Sequence, residues 1–197
     1  MYTRRRSESD PFTDLLFNAL LGFTFLFLVA IMFMNPDAKS GIIDPKAEYI
    51  LTVTWEDNSP DDIDTWVEDP DGKIIWFRNP EADLLHLDRD DRGQLNDTIT
   101  VNGEEIENPL NQEVVTLRGV VKGEYIVNLH YYASETQLPV DVNIRLVKVN
   151  PTLEVVYYGS IKMEKAGDEK TALRFHIGVG GKISNINFLP KKLVAIG

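Results

Sequence analysis

The chain has 197 residues and carries 31 acidic against 20 basic side chains, a formal net charge of −11. This acidic balance argues against a nucleic-acid-binding function, because phosphate backbones are bound by basic surfaces. The chain contains no cysteine, which excludes disulfides, thiolate metal sites and cysteine nucleophiles. Its length leaves room for one membrane span and one domain of about 150 residues.

The first predicted element is a membrane-spanning helix. The segment from Leu15 to Met34 contains no charged residue. A helix of about 20 residues rises about 30 Å, which matches the hydrocarbon core of a bilayer. We therefore predict a tail over residues 1–10 and a transmembrane helix over residues 11–34. Two prolines and a glycine in the sequence NPDAKSGIIDPKA predict a linker over residues 35–47.

The charges on either side of the span predict its orientation. Three arginines precede it and a mixture of signs follows it: Arg4, Arg5 and Arg6 against Asp37, Lys39 and Asp44. By the positive-inside rule the amino terminus is cytoplasmic, and residues 48–197 form an extracytoplasmic domain. A cleaved signal peptide, including a twin-arginine signal at TRRRS, is the alternative. Signal peptides have shorter apolar regions, about 7 to 15 residues, and a small-x-small cleavage site, which FMNPDAKS lacks.

One acid, Asp14, lies at the entrance to the apolar run. At helical spacing it shares a face with Asn18 and Gly22, which are candidates to line a pore, while phenylalanines and leucines cover most of the remaining surface. An ionisable residue in a span is by default a candidate for ion transport. The alternative is a solvated residue at the helix start, where an acid suits the positive end of the helix dipole.

A family resemblance bears on this choice. The segment combines a short basic amino terminus, an aspartate entering a single span in FTDLLFNALLGFTFLFLVAI, and a carboxy-terminal domain beyond it. It resembles the B subunits of ion-driven membrane motors, such as MotB of the flagellar stator, ExbD and TolR. The resemblance implies that Asp14 carries a proton or a sodium ion.

The same resemblance implies an assembly and a location. Two copies of this chain would stand inside a ring of five multi-span A subunits similar to MotA, ExbB or TolQ. The complex would lie in the bacterial inner membrane, with the carboxy-terminal domain in the periplasm. Two other hypotheses stay open: a passively membrane-anchored extracytoplasmic binding module, and a secreted β protein whose first residues are removed.

Beyond residue 47 the hydrophobic pattern alternates with a period of two, which indicates half-buried strands. The clearest segments are residues 49–55, 125–131, 140–146 and 173–179. Further predicted strands are residues 65–68, 73–78, 98–101, 113–117, 153–163 and 183–188. Turn signals such as Asp71-Gly72, Asn102-Gly103 and Lys122-Gly123 separate several of them. The sequence predicts a mainly β fold, an antiparallel sandwich of about 8–10 strands after a single amino-terminal transmembrane helix.

Three motifs carry a second resemblance: TVTWEDNSPDDIDTWVEDPDGKIIWF, LDRDDRG and GEYIVNLHYY. Over residues 48–150 they resemble an uncharacterised family of exported bacterial domains. The chain departs from that family after Gly93, where QLNDTITVNGEEIENPLN is longer than the usual turn. The resemblance implies a β-sandwich without an established activity. It is not the peptidoglycan-binding domain usual in MotB, so the envelope or extracellular target is unknown.

The domain contains two acid-rich loops, with Asp61, Asp62, Asp64, Asp69 and Asp71 in the first and Asp88, Asp90 and Asp91 in the second. Oxygen-only clusters suit Ca²⁺, and the candidate ligands are Asp62, Asp64, Asp88 and Asp90. The spacing does not fit an EF-hand. The alternative is that these acids cap backbone N–H groups in solvated turns. Apart from this calcium ion, the sequence predicts no cofactor.

Catalytic signals are weak. The three histidines, His86, His130 and His176, lie outside any recognisable catalytic motif, and neither GxSxG nor HExxH occurs. The glycine-rich GVGGK at residues 178–182 lacks the strand-to-helix context of a phosphate-binding loop and predicts a hairpin turn. We expect no enzymatic activity.

Overall fold

The computed structural model describes residues 10–34, 47–93 and 98–194. The chain divides into two compact units, Met1–Asp44 and Pro45–Gly197. Of the predicted tail only Asp10 is described, and of the predicted linker only Ala47, so the rest of both segments lies outside the described residues.

The first unit contains helix α1, Pro11–Met34. Asp10 caps its start: its carboxylate accepts hydrogen bonds from the Phe12 N–H at 3.1 Å and from the Thr13 hydroxyl at 2.8 Å. Pro11 follows at the first helical position, where a missing N–H costs no helix hydrogen bond. Within α1, the 21-residue stretch Pro11–Ile31 is long and apolar enough to cross a membrane.

The second unit is built from β-strands, and its described residues contain 13 of them. They are β1 (Tyr49–Thr54), β2 (Asp62–Glu68), β3 (Ile74–Ile75), β4 (Glu81–Ala82), β5 (Leu85–Arg89), β6 (Thr98–Val101), β7 (Glu104–Glu107), β8 (Gln112–Leu117), β9 (Gly123–Ala133), β10 (Val140–Lys148), β11 (Glu154–Met163), β12 (Glu169–Ile177) and β13 (Ile183–Asn187).

These strands form two antiparallel sheets. The first sheet has the order β11-β10-β1-β8-β5-β4, and the second has the order β13-β12-β9-β2-β3. Strands β6 and β7 form a separate hairpin. The prediction of a mainly β chain with one amino-terminal helix and a sandwich-like arrangement of antiparallel sheets is confirmed.

The core lies between the inward faces of the two sheets. Leu51 and Val115 from the first sheet, and Val127 and Leu129 from the second, are each at most 1% exposed. Burying a large aliphatic side chain of this kind contributes about 1.5–3 kcal/mol to stability. The alternation seen in the sequence therefore marks the residues that hold the two sheets together.

All ten predicted strands correspond to observed ones, whereas β4, β5 and β7 were not predicted. Strand β7 has the sequence EEIE, which has low strand propensity and pairs with β6 across the Asn102-Gly103 turn. The predicted strand over residues 73–78 is shorter, since Trp76 pairs with Asn79 in a tight turn. The prediction of a hairpin at GVGGK is confirmed, because a short helical turn there joins the paired strands β12 and β13.

Candidate functional site

In the first unit, the candidate residue Asp14 lies in the first turn of α1. Its backbone N–H donates to the carbonyl of Asp10 at 3.0 Å, as in any helix interior. Within the described residues, the Asp14 carboxylate has no hydrogen bond or ion pair. Because Asp10 already caps the helix, Asp14 contributes to this helix start only through the helix dipole. Two acids four residues apart also repel each other mildly.

The polar groups of the span are concentrated on the face of Asp14. The side-chain amide of Asn18 makes no hydrogen bond within α1, and a Cβ added at Gly22 would meet no atom within 4 Å. By contrast, the Thr24 hydroxyl donates to the carbonyl of Leu20 at 2.8 Å. Unpaired polar groups are costly in hydrocarbon, so this face favours a polar or protein partner over lipid.

In the second unit, two acids of the first acid-rich loop hold backbone groups. The buried carboxylate of Asp61 accepts hydrogen bonds from the N–H groups of Glu135 and Thr136, at 2.8 and 3.1 Å, and from the Thr136 hydroxyl. Although burial opposes ionisation, these hydrogen bonds outweigh it and lower the pKa of Asp61. The prediction that acids cap backbone N–H groups is confirmed at this position, but Asp61 is buried and does not lie in a solvated turn.

Asp69 has the same structural role in the turn between β2 and β3. It is buried, and its Oδ1 accepts from the N–H groups of Asp71 at 2.9 Å and Lys73 at 2.8 Å. We predict that Asp69→Ala lowers the free energy of unfolding by about 1–2 kcal/mol, because it leaves two turn donors unpaired. Urea unfolding at neutral pH measures this loss. Asp69→Asn retains the accepting oxygen and should lose less; an equal loss in both variants would contradict the capping role.

A different set of acids meets at one place in the sandwich. One carboxylate oxygen from each of Asp64, Asp90 and Glu113 lies within 4.8 Å of the other two. Asp64 lies on β2, Asp90 follows β5, and Glu113 lies on β8, so both sheets contribute. The sequence-predicted Asp62 lies beside them on β2 and interacts electrostatically with Asp64 and Asp90.

The position of Glu113 follows from the strand pattern. It alternates with Val115 and Leu117 on the inward face of β8, at the end of that strand. Strand β3 pairs with β2 at Val67 and Glu68, and among the described residues no strand pairs with the preceding part of this β2 edge. The Thr65 N–H on this part of β2 donates to Glu113 Oε2 at 2.6 Å. Glu113 therefore connects the two sheets through its carboxyl group.

This acidic cluster is mostly buried. Glu113 is 1% exposed, Asp64 3% and Asp62 9%. One oxygen of each, Glu113 Oε1, Asp64 Oδ2 and Asp62 Oδ1, has no hydrogen-bond partner among the described residues. Buried carboxylate oxygens are normally paired, so the cluster is suited to bind a proton or a cation.

Electrostatics in the cluster favour neutralised carboxyl groups. Burial, reinforced by the charges of Asp64 and Asp90, raises the pKa of Asp62 to about 7. Burial also raises the pKa of Asp64, although His130, whose Nδ1 lies 3.6 Å from Asp64 Oδ2, opposes the shift. The pKa of Glu113 is raised well above its ordinary value by complete burial.

An aromatic groove of about 380 Å³ lies next to the cluster on the second sheet. The indole rings of Trp66 and Trp76 stack at 4.5 Å, and Phe77 packs edge-on against Trp76 at 4.9 Å and against Tyr132 at 5.5 Å. His130 belongs to both features, because it lines the groove and faces Asp64. The groove is a concave, largely apolar surface of the kind that contacts ligands.

No protein-family model, curated protein or solved structure matches this chain. Of the sequence-predicted metal ligands, the structure brings together Asp64 and Asp90, with Asp62 beside them. Asp88 has other partners, since its carboxylate accepts from the Arg118 guanidinium at 2.8 Å and from the Thr116 hydroxyl. Sequence reasoning missed Glu113; the available signal was an acid at an inward position of the alternating strand QEVVTL.

Proposed function

We propose that this protein is the B subunit of a proton- or sodium-driven rotary membrane motor, in which Asp14 carries the ion. The supporting observation is an unpaired carboxylate in the first turn of a helix that is able to span a membrane and is already capped by Asp10. A passive anchor needs no such group. Ionisable residues within spans are typical of ion pathways.

The mechanism requires Asp14 to alternate between two environments. In contact with the outer aqueous path, the carboxylate binds a proton or Na⁺ and becomes neutral, so that it can face an apolar surface of the surrounding subunits. On reaching the inner path it releases the ion and becomes charged again. Asn18 supplies a neutral hydrogen-bonding group along the same face, and Gly22, which has no side chain, allows close approach of a neighbouring helix.

Rotation follows from two copies acting in turn. In a ring of five multi-span A subunits, two helices occupy unequal positions, so one Asp14 is loaded while the other is released. Each ion transfer changes which helix carries the charge and favours the next orientation of the ring. The sandwich, on the extracytoplasmic side, would engage the envelope or an external partner and convert rotation into work.

The assembly can be tested on the full chain purified from its native membranes through an affinity tag in a mild detergent. We expect a multi-span protein to co-purify at five copies for every two of this chain. Subunit counting by native mass spectrometry or electron microscopy measures the ratio. A chain that purifies alone, or only with single-span proteins, would contradict the motor.

The second candidate function is a passively anchored extracytoplasmic binding module. The aromatic groove favours it, because half-buried Trp76 and Phe77 and exposed Tyr132 are typical of contact surfaces. The two functions differ in one respect that can be measured. The module requires the groove and tolerates any apolar or polar residue at position 14, whereas the motor requires the Asp14 carboxylate.

A further inference from the structure

We propose that Asp64, Asp90 and Glu113, with Asp62 beside them, form a Ca²⁺-binding site that connects the two sheets of the sandwich. This inference is independent of the ion-carrying role of Asp14. It concerns the second unit alone, and every residue in it lies within the described part of the chain.

The geometry of the cluster fits one cation. Two oxygens bound to the same Ca²⁺ at about 2.3–2.6 Å are at most about 5 Å apart. One oxygen each from Asp64, Asp90 and Glu113 meets this condition, since all three lie within 4.8 Å of one another. A carboxylate can also bind Ca²⁺ through both oxygens, and water can complete six to eight ligands.

The burial of the cluster separates it from an ordinary acidic surface patch. Glu113 and Asp64 are 1% and 3% exposed, and each has a buried oxygen without a hydrogen-bond partner among the described residues. These two oxygens, Glu113 Oε1 and Asp64 Oδ2, are therefore available to bind a cation within the cluster. The Asp90 side chain is 25% exposed and provides the access from solvent that a binding cation needs.

Within the described residues, positively charged groups do not balance the charges of the cluster. Among the described residues, the cations facing it are Arg92, whose Nε lies 3.3 Å from Asp90 Oδ2, and His130 when it is protonated. The other arginine of this loop, Arg89, is engaged by Asp91 at 2.7 Å. A divalent cation would supply the missing positive charge.

A second group of acids differs from this cluster because protein groups pair with its carboxylates. Asp69, Asp71 and Asp83 also offer oxygens within 4.8 Å of one another. There, however, Asp69 accepts backbone hydrogen bonds, and Asp83 forms an ion pair with Lys73. We therefore assign the cation to the cluster around Glu113.

The donor set indicates which cation binds. All candidate ligands are carboxylate oxygens, which suit hard cations rather than zinc or copper. Mg²⁺ demands compact octahedral geometry and retains several waters, whereas Ca²⁺ accepts irregular carboxylate sites. Exported calcium-binding modules bind with a Kd of about 0.1–1 mM.

Calorimetry on the full chain in a non-ionic detergent tests the site. After EDTA treatment and removal of the chelator, Ca²⁺ should bind at one site per chain with a Kd of about 0.1–1 mM, and Mg²⁺ more weakly. Ca²⁺ at ten times Kd should raise the Tm by about 3–6 °C. Glu113→Gln retains an oxygen for the Thr65 N–H and should weaken Ca²⁺ binding at least about tenfold.

Asp88→Asn is the matched control. It removes the same charge from the neighbouring acid-rich loop, but the Asp88 carboxylate is held by Arg118 and Thr116 outside the cluster. Its Ca²⁺ affinity should remain close to that of the wild type. The proposal is overturned by the absence of saturable binding and of any Tm increase, by wild-type affinity in Glu113→Gln, or by an equal loss in Asp88→Asn.

Discussion

The Asp14→Asn variant is expected to lose ion flow down to the background leak, while it inserts and accumulates as the wild type does. Asparagine has the shape of aspartate but cannot exchange a proton or bind Na⁺ as a carboxylate does. Ion uptake can be measured with fluorescent pH and Na⁺ indicators in vesicles from cells that contain the complete assembly. Immunoblotting of the same membranes controls for abundance.

The chain offers a matched control one helical turn earlier. Asp10→Asn makes the same change of charge, and asparagine caps a helix about as well as aspartate. We expect this variant to conduct normally. Asp14→Glu retains a carboxylate at an altered position and should conduct at a reduced rate.

Two outcomes would contradict the motor. Normal ion flow in Asp14→Asn would remove the ion-carrying role. A normal cellular phenotype in Asp14→Asn, together with its loss in Trp76→Ala at unchanged protein abundance, would identify the groove as the functional part. The passively anchored binding module would then be the better description.

The sequence predicts those parts of the fold in which apolar and polar residues alternate along a single strand. Residues 125–131 and 173–177 face the core with every second side chain, so their pattern alone identifies them as strands. Val179 continues the same pattern in the sequence but lies beyond the end of β12 and is exposed. Strand pairing has no such local signal. Strand β1 lies between β8 and β10, which follow it by more than 50 residues and are selected by the packing of the whole core. The consecutive apolar residues Leu84 and Leu85 interrupt the alternation of apolar and polar residues at the start of β5, so the sequence pattern did not predict that strand.

The acidic cluster could be predicted only in part, because the sequence shows local groups of acids but not which distant residues meet in the fold. Asp64 and Asp90 belong to the two acid-rich loops, which are evident in the sequence, and the structure brings these two residues together. Asp88 belongs to the same group, but β5 directs it to Arg118 instead. Glu113 has no acidic neighbour at adjacent positions, and only the inward face of β8 shows that it belongs to the cluster.

In calcium-free solution, Asp62→Asn is expected to stabilise the protein at pH 7.5 and to change its stability little at pH 4. Burial, with Asp64 and Asp90 nearby, raises the pKa of Asp62 to about 7, whereas an aspartate in the unfolded chain titrates near about 3.9. Between these values the folded state holds a proton that the unfolded state has released. The contribution of Asp62 to stability therefore falls as the pH rises from about 4 to about 7.

The size of the effect follows from that interval, which corresponds to at most about 4 kcal/mol. Since neighbouring carboxyl groups share protons, we expect a gain of about 2–4 kcal/mol for Asp62→Asn at pH 7.5. Urea unfolding of the full chain in EDTA, followed by tryptophan fluorescence at both pH values, measures it. Asp57→Asn, at an exposed position, is the control and should change stability little at either pH.

Calcium links this prediction to the cation site. A bound Ca²⁺ would neutralise the charges of the cluster. The charge of Asp62 would then no longer make the wild type less stable than Asp62→Asn at pH 7.5. The stability advantage of Asp62→Asn over the wild type should therefore shrink when Ca²⁺ replaces EDTA. It should shrink further because the substitution removes a carboxylate from the Ca²⁺ site. An equal effect of Asp62→Asn at pH 4 and pH 7.5, or a loss of stability at pH 7.5 without calcium, would show that burial of Asp62 does not disfavour its charge.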